Sequence, residues 1–341
     1  INRRKELNIF MQNGKPLFDK YSFDEDNRKK LPKDIKIPPT LAFENEFVKE
    51  AKDYCKKFKS VGVCEYFYYP TTFEEASLQL NYFLKEKFEN FGFYQDAITK
   101  DTKQSFLFHS NISSSLNIGL IDLNELIEKI VNSQAPYNAK EGFIRQIIGW
   151  REFMLRVYED NGILLRNSNF FEFKNPIPKK IIEAKSGIQI LDDTILKLQK
   201  TAYNHHIERL MILGNIFLLL EINPNDVYEF FMKNYIDAYD WVMVGNVYGM
   251  SGFSDGGSIT TKPYIASSNY LLKMSDYSKN ESWCEILDAL YWRFLYKYSF
   301  KFDKNPRMKM QIALLNKMPK EKLENHLLVA KKFIDDIFIT N

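Results

Sequence analysis

Residues 191–221 read LDDTILKLQKTAYNHHIERLMILGNIFLLLE, and this stretch decides the fold class. Its apolar residues recur at three- and four-residue spacing, the period of a helix with one buried face. The pattern stops at Asn223-Pro224, because a residue ahead of proline is biased away from the helical region. Outward from this stretch the same period returns. Thr72 begins a Thr-x-x-Glu capping box for a helix running to about Glu89. Asp122 caps a helix to about Val131, Asn138–Glu141 opens one reaching about Tyr158, and Asp226 restarts one through Tyr239. Helices are also expected at 284–298 and 319–338. Residues 160–187 and 244–268 read as loops, and strand alternation shows only at Val61–Tyr69. Residues 1–70 read as a lead-in, mostly polar and extended over 1–40, with a turn at Asn13-Gly14 and helical periodicity from Leu41. The fold class expected is mainly α, with one helical body over 71–341.

Composition agrees. The 341 residues are 45% hydrophobic and 27% charged, which suits a globular chain and neither disorder nor a membrane protein. With only 14 Gly and 12 Pro, turn formers are too scarce for a many-hairpin β fold. Aromatics reach 15%, enough to build a core of large rings or to line a wide pocket. The net charge is +3, with basic residues concentrated at both ends, a pattern that fits a phosphate backbone or a solvated lysine surface. Three cysteines, none in a Cys-x-x-Cys, point to a reducing compartment without disulfides, so a cytoplasmic location is expected. The longest apolar run, Leu210–Leu220, is far below the ~20 residues of a membrane span, so no membrane association is expected. The sequence begins at Ile1, which reads as a fragment lacking an N-terminal part.

Four constellations carry polar chemistry. His109–Asn117 gathers small hydroxyl and amide residues before a helix; it suits a phosphate or diphosphate, or equally a capped loop. Gly142–Phe153 sets Gln146, Trp150 and Phe153 on one helical face, a pocket wall for a planar ligand or a plain amphipathic helix. His205-His206 with Arg209 cannot grip one metal, since adjacent side chains diverge, but supplies groups titrating near neutrality. Asp237–Trp241 with Asn246–Gly257 and Thr261–Tyr264 packs polar and aromatic residues onto a glycine-bearing segment.

Their order along the chain is what decides. DEDNRKKL (24–31), FLFHSNISSSLNIGL (106–120), EGFIRQIIGWREF (141–153), YNHHIERLMILGN (203–215), DAYDWV (237–242), NVYGMSGFSDGG (246–257), TKPYIASSNYLLKMSDY (261–277) and ALYWRFL (289–295) run in sequence. Together they resemble the FAD-binding part of the photolyase/cryptochrome family, specifically the prokaryotic branch related to (6-4) photolyases. The resemblance implies a helical FAD-binding domain without the family's N-terminal α/β antenna domain, which is separate or missing; the antenna chromophore stays open. It implies Ser110, Ile112, Ser113 and Asn117 near the FAD diphosphate, Gln146 and Arg151 on the pocket wall, and Arg209–Asp237 and Asn246 near the flavin ring. His205, His206, Tyr264 and Tyr270 correspond to the reactive pocket, and Trp150 to the wall on which a flipped base stacks. The implied partner is damaged DNA. The implied activity is light-driven electron transfer from reduced FAD to a UV lesion of the (6-4) type, a lyase reaction. A blue-light receptor without repair, and a non-enzymatic module, are the alternatives.

The sequence departs from that branch in three ways. Members usually carry an iron–sulfur cluster, but the four cysteine positions hold Ile190, Ser278, Glu281 and Glu285, so absence of the cluster is expected. The pair that re-reduces the flavin in relatives is Phe230-Phe231 here, with Tyr228, Tyr235, Tyr239 and Trp241 as substitutes. A position often acidic near the flavin is Met243.

Overall fold

A computed structural model describes residues 2–63 and 65–339. As expected, it is mainly helical, with almost no strand. Among the described residues the one sheet is a hairpin, Met11–Gln12 against Lys15–Pro16. Asn13 (φ 50°) and Gly14 (φ 75°) both take the left-handed conformation that a two-residue hairpin turn requires.

The caps read from sequence are in place. Thr72 accepts from Glu75 N–H at 3.2 Å and Asp122 accepts from Asn124 and Glu125 N–H at 2.9 Å, opening Phe73–Tyr82 and Leu123–Asn132. Trp283–Tyr298 and Lys320–Ile337 match the two C-terminal helices expected.

Several boundaries move. The long 191–221 helix is two: Gln189–Thr201 ends in left-handed Ala202 (φ 51°), and helix resumes at His206. Polar demand breaks it. Ala202 C=O accepts from Ile236 N–H at 3.1 Å, and Asn204 C=O accepts from Arg209 Nε at 2.7 Å, so neither carbonyl serves a continuous helix. The loop read at 160–187 begins late, because Glu152–Arg166 continues past Gly162. Helix 226–239 is instead Pro224–Asn234, started by Asn223 with proline in its first turn. The loop read at 244–268 is helical in its first part, Asp240–Val244 running into Gly245–Ser251. At Val61–Tyr69 the described residues form no strand: Tyr68 C=O accepts from Gln79 Nε2 and Asn111 Nδ2, side chains that take the place of a strand partner. Cys64 lies outside the described residues. The lead-in carries short elements and packs firmly, with buried Arg4 donating to Ile9 C=O, Tyr21 C=O and the Tyr137 hydroxyl.

Two large cores organise the molecule. One joins Ile9, Phe10 and the 73–91 helix to Phe143, Ile144 and Ile147; rings of Phe83, Phe88, Phe91 and Phe143 meet at 5.1–6.1 Å. The other gathers helices from 189 to 337 around residues such as Phe217, Trp283 and Phe294. The seam between them is open, and a cavity lies there.

Candidate active site

The cavity has two lobes, an inner one of about 330 Å³ and an outer one of about 830 Å³. Ile112, Phe143 and Ile147 of one core face Ile207, Leu210 and Met250 of the other across it. Pockets between packed units, mostly apolar with a few convergent polar groups, are the usual ligand sites, and these sizes suit a whole organic cofactor.

Three π-helical turns line it: Arg145–Arg151, Glu208–Gly214 and Gly245–Ser251. Such turns insert an extra residue into a helix and re-aim its side chains, and they concentrate at functional sites. Here they turn Gln146, Trp150, Arg151, Arg209 and Asn246 to the cavity. The second and third press together so closely that a Cβ on Gly214 would sit 2.7 Å from Ser251 Cβ.

Of the site residues read from sequence, all but one share this cavity. Ser110, Ile112 and Arg209 line the inner lobe; Asn117, Trp150, Arg151, Tyr264 and Tyr270 the outer; Ser113, Gln146, His206, Asp237 and Asn246 both. Arg209 and Asp237 form a two-pronged pair, Nη1–Oδ1 2.9 Å and Nη2–Oδ2 3.0 Å. Ser113 Oγ donates to Asp237 Oδ2 at 2.8 Å, and Asn117 Nδ2 donates to Asp237 C=O at 3.3 Å. The pair thus ties the 110–117 segment to the 208–214 turn. Asn246 donates to Val242 C=O at 2.8 Å. The Arg151 guanidinium lies 4.9 Å from the Trp241 ring centre.

His205 is the exception. Its ring is buried away from the cavity, stacked on His109 at 4.7 Å and 11°, with both nitrogens unpartnered. Burial, and the positive field of His109, Lys197 and neighbours, drive its pKa well below the ordinary histidine value. His206 points into the cavity; the ring is reachable by solvent yet walled by protein, and this enclosure together with Arg209 brings its pKa down to about 4.

Sequence reasoning gave no role to Asp24, Arg28 or Asp96, which sit at the outer lobe although DEDNRKKL was among the motifs read. Asp24 pairs with Arg28 and, at 3.0 Å, with Arg145. Asp96 is buried, and burial plus the Asp24 charge lift its pKa to about 6, against the opposing pull of Arg28 and Arg145. The signal for Asp24 and Arg28 lay in the motif; Asp96 carries none, since only tertiary folding brings it beside them.

The positions compared from sequence with cluster cysteines make other contacts. Ile190 is fully buried in core, Ser278 N–H donates to Glu281 Oε1 at 2.8 Å, and Glu281 accepts from the indole of buried Trp283 at 2.7 Å. Among the described residues no three His, Cys, Asp or Glu side chains gather as metal ligands. These residues do not fit a thiolate-held cluster.

Comparison with known proteins matches this architecture. Residues 1–69 match the family model described as deoxyribodipyrimidine photo-lyase-related protein. A (6-4) photolyase of Agrobacterium fabrum is 35% identical over 335 residues, covering 93% of this chain and 66% of that protein. Over nearly its whole length the chain is homologous to that photolyase. It spans just under two thirds of that relative's length. The crystal structure of a bacterial class III photolyase from Agrobacterium tumefaciens shares the fold, with a TM-score of 0.50 and 15% identity over 78% of this chain and 54% of that one. Protein R855 of Acanthamoeba polyphaga mimivirus is 52% identical over 92 residues, 27% of this chain and 75% of the viral protein. No described helix is long and apolar enough to cross a membrane.

Proposed function

We propose that this chain binds FAD in the two-lobed cavity and serves light-driven repair of a UV lesion, of the (6-4) type, in DNA. The observation that carries the reading is convergence: side chains from six separate segments, chosen from sequence, line one cavity held by the Arg209–Asp237 pair. The cavity also fits a dinucleotide in its chemistry. Its inner wall offers the Ser110 hydroxyl and a buried Asn111 Oδ1 that has no partner within the protein, an atom that a ligand donor satisfies. FAD, when bound, supplies blue-light absorption and, in its reduced form, an electron.

The chain's own residues do the rest. Ser110, Ile112, Ser113 and Asn117 hold the polar end of the cofactor; Gln146, Arg151 and Asn246 orient it. Arg209–Asp237 keeps a fixed, nearly neutral charge pair against it. The outer lobe takes the flipped base, with Trp150 as stacking wall and Tyr264 and Tyr270 beside it. Damaged bases stack poorly and cost less to extrude than normal ones. His206, between the lobes, holds the proton that a (6-4) product needs. It is neutral in the open cavity, so proton delivery follows entry of an anionic ligand that raises its pKa. His205 acts behind it as a packing residue. Ile190, Ser278, Glu281 and Glu285, the positions compared with cluster cysteines, offer no thiolate, so no iron–sulfur cluster is held there.

Phe231 on the inner wall favours a second reading, light sensing without repair, because phenylalanine resists oxidation and deprives the site of one relay residue. Illumination of lesion-bearing oligonucleotides with the reduced holoprotein separates the two. Repair is expected, and is lost in His206→Ala with FAD still bound. Tight FAD binding with no repair under any illumination favours sensing.

A further inference from the structure

Behind the Arg209–Asp237 pair stands a buried pair of residues, Asn204 of the 203–215 motif and Tyr235, to which sequence reading assigned no positioning role. Asn204 is fully buried, and all its polar groups but the backbone N–H are engaged. Its C=O accepts from Arg209 Nε at 2.7 Å, and its Oδ1 accepts from the Tyr235 hydroxyl at 2.8 Å. Its Nδ2 donates to Thr194 C=O at 3.1 Å and to Glu208 Oε2 at 3.2 Å. Glu208 in turn is held by buried Lys197 at 2.6 Å. The Tyr235 ring lies flat under the Arg209 guanidinium, 4.1 Å from its centre, and stacks on Phe231 at 5.0 Å.

Arg209 is therefore fixed in three directions: Nε by Asn204, the face by Tyr235, and both Nη atoms by Asp237. Rotation about its last torsions, which an arginine ordinarily keeps, is gone. The Tyr235 hydroxyl is the only bond that ties the ring under Arg209 to the residue that takes Nε. Sequence reading placed Tyr235 among redox substitutes; the geometry adds mechanical work.

We propose that Asn204 and Tyr235 are positioning residues: a latch that fixes Arg209, and through it Asp237 and Ser113, in the orientation that receives the cofactor. The inference rests on the FAD reading, and the latch acts on affinity without touching ligand.

The test is a double-mutant cycle on the full chain, made with Tyr235→Phe, Arg209→Lys and the double variant. Tyr235→Phe removes one hydroxyl from a ring that stays in place. FAD affinity is read by titrating apoprotein and following flavin fluorescence. Hydrogen exchange at the Arg209 Nε–H is read by NMR without any ligand. Tyr235→Phe is expected to weaken FAD about tenfold, the upper worth of one buried neutral hydrogen bond, and to speed Nε–H exchange. In the Arg209→Lys background the same change should add less than about twofold, because a latch with nothing to hold has no effect. Unchanged affinity in Tyr235→Phe, or an equal loss in both backgrounds, overturns the latch and leaves the hydroxyl merely structural. If the wild-type protein takes no FAD, the functional reading fails; the latch then stands or falls on the exchange rate, with unchanged exchange in Tyr235→Phe overturning it.

Discussion

Asp237 is the residue on which most of the site depends. It closes the pair with Arg209 and receives Ser113, and its backbone carbonyl receives Asn117. Both charges are largely buried, so removing one strands the other. Asp237→Ala should cost about 3–5 kcal/mol in urea unfolding. A loss under about 1 kcal/mol would mean the pair is solvated and free. His206 gives the second residue-level prediction. Enclosure and Arg209 hold its pKa at about 4 in the ligand-free protein, so its ring protons should show no titration between pH 7 and 6 by NMR. Titration near 6.5 would mean the cavity wall is more open than described. At this scale the sequence was informative about identity but not about direction. His205 and His206 are neighbours in sequence and read alike, yet one stacks on His109 in the interior and the other faces the cavity. Which of two adjacent rings faces ligand depends on helix phase, and the phase is set by the break at Ala202, which has no local signature such as glycine.

Among elements, the capped helices were legible because their signals are local: a Thr-x-x-Glu or an Asp before an apolar run satisfies free amide groups wherever it stands. The π-helical turns were not. The extra residue in each is stabilised by tertiary contact, and nothing in Arg145–Arg151 or Gly245–Ser251 announces it; the second was read as a loop because glycine and serine, placed there for close approach, resemble loop residues. Gly214 makes this concrete. Gly214→Ala drives a methyl group to 2.7 Å from Ser251 Cβ and should destabilise by about 1–3 kcal/mol. Adding Ser251→Gly removes the closest clash, while the Arg209 carbonyl at 3.2 Å stays, and should restore part of that loss in thermal unfolding. A single variant as stable as wild type would show that the two turns are not in tight contact. Phe88, fully buried among three phenylalanine rings, sets a reference: Phe88→Ala should cost about 3–5 kcal/mol.

For the whole molecule, the two cores meeting at an open seam explain both architecture and pH response. His109 and His206 line that seam and His205 stacks behind His109, all with pKa values lowered chiefly by desolvation. A histidine whose folded pKa is depressed stabilises fully above its ordinary value near 6.5, and that stability is lost as pH falls toward the folded value. Asp96, raised to about 6, works in the opposite sense, contributing at low pH and losing its contribution as pH climbs through 6. His109, His205 and His206, joined by His326, outnumber Asp96 and Asp226 and predict a melting temperature that falls between pH 7 and pH 5; a rise over that interval would contradict the burial of His205. The helical class, the order of the site segments and their convergence were legible from 341 residues because large apolar faces and long motifs leave few ways to pack. The seam itself was not, since a cavity is defined by the residues that fail to meet.

The account turns on that seam holding a flavin. The most direct measurement is titration of FAD into purified ligand-free protein, followed by flavin fluorescence and by melting temperature together. The account predicts saturation at one FAD per chain and a melting temperature that rises with free FAD, as ligand bound only by the folded state requires. A folded protein that takes up no FAD and melts at the same temperature with and without it would contradict the central claim.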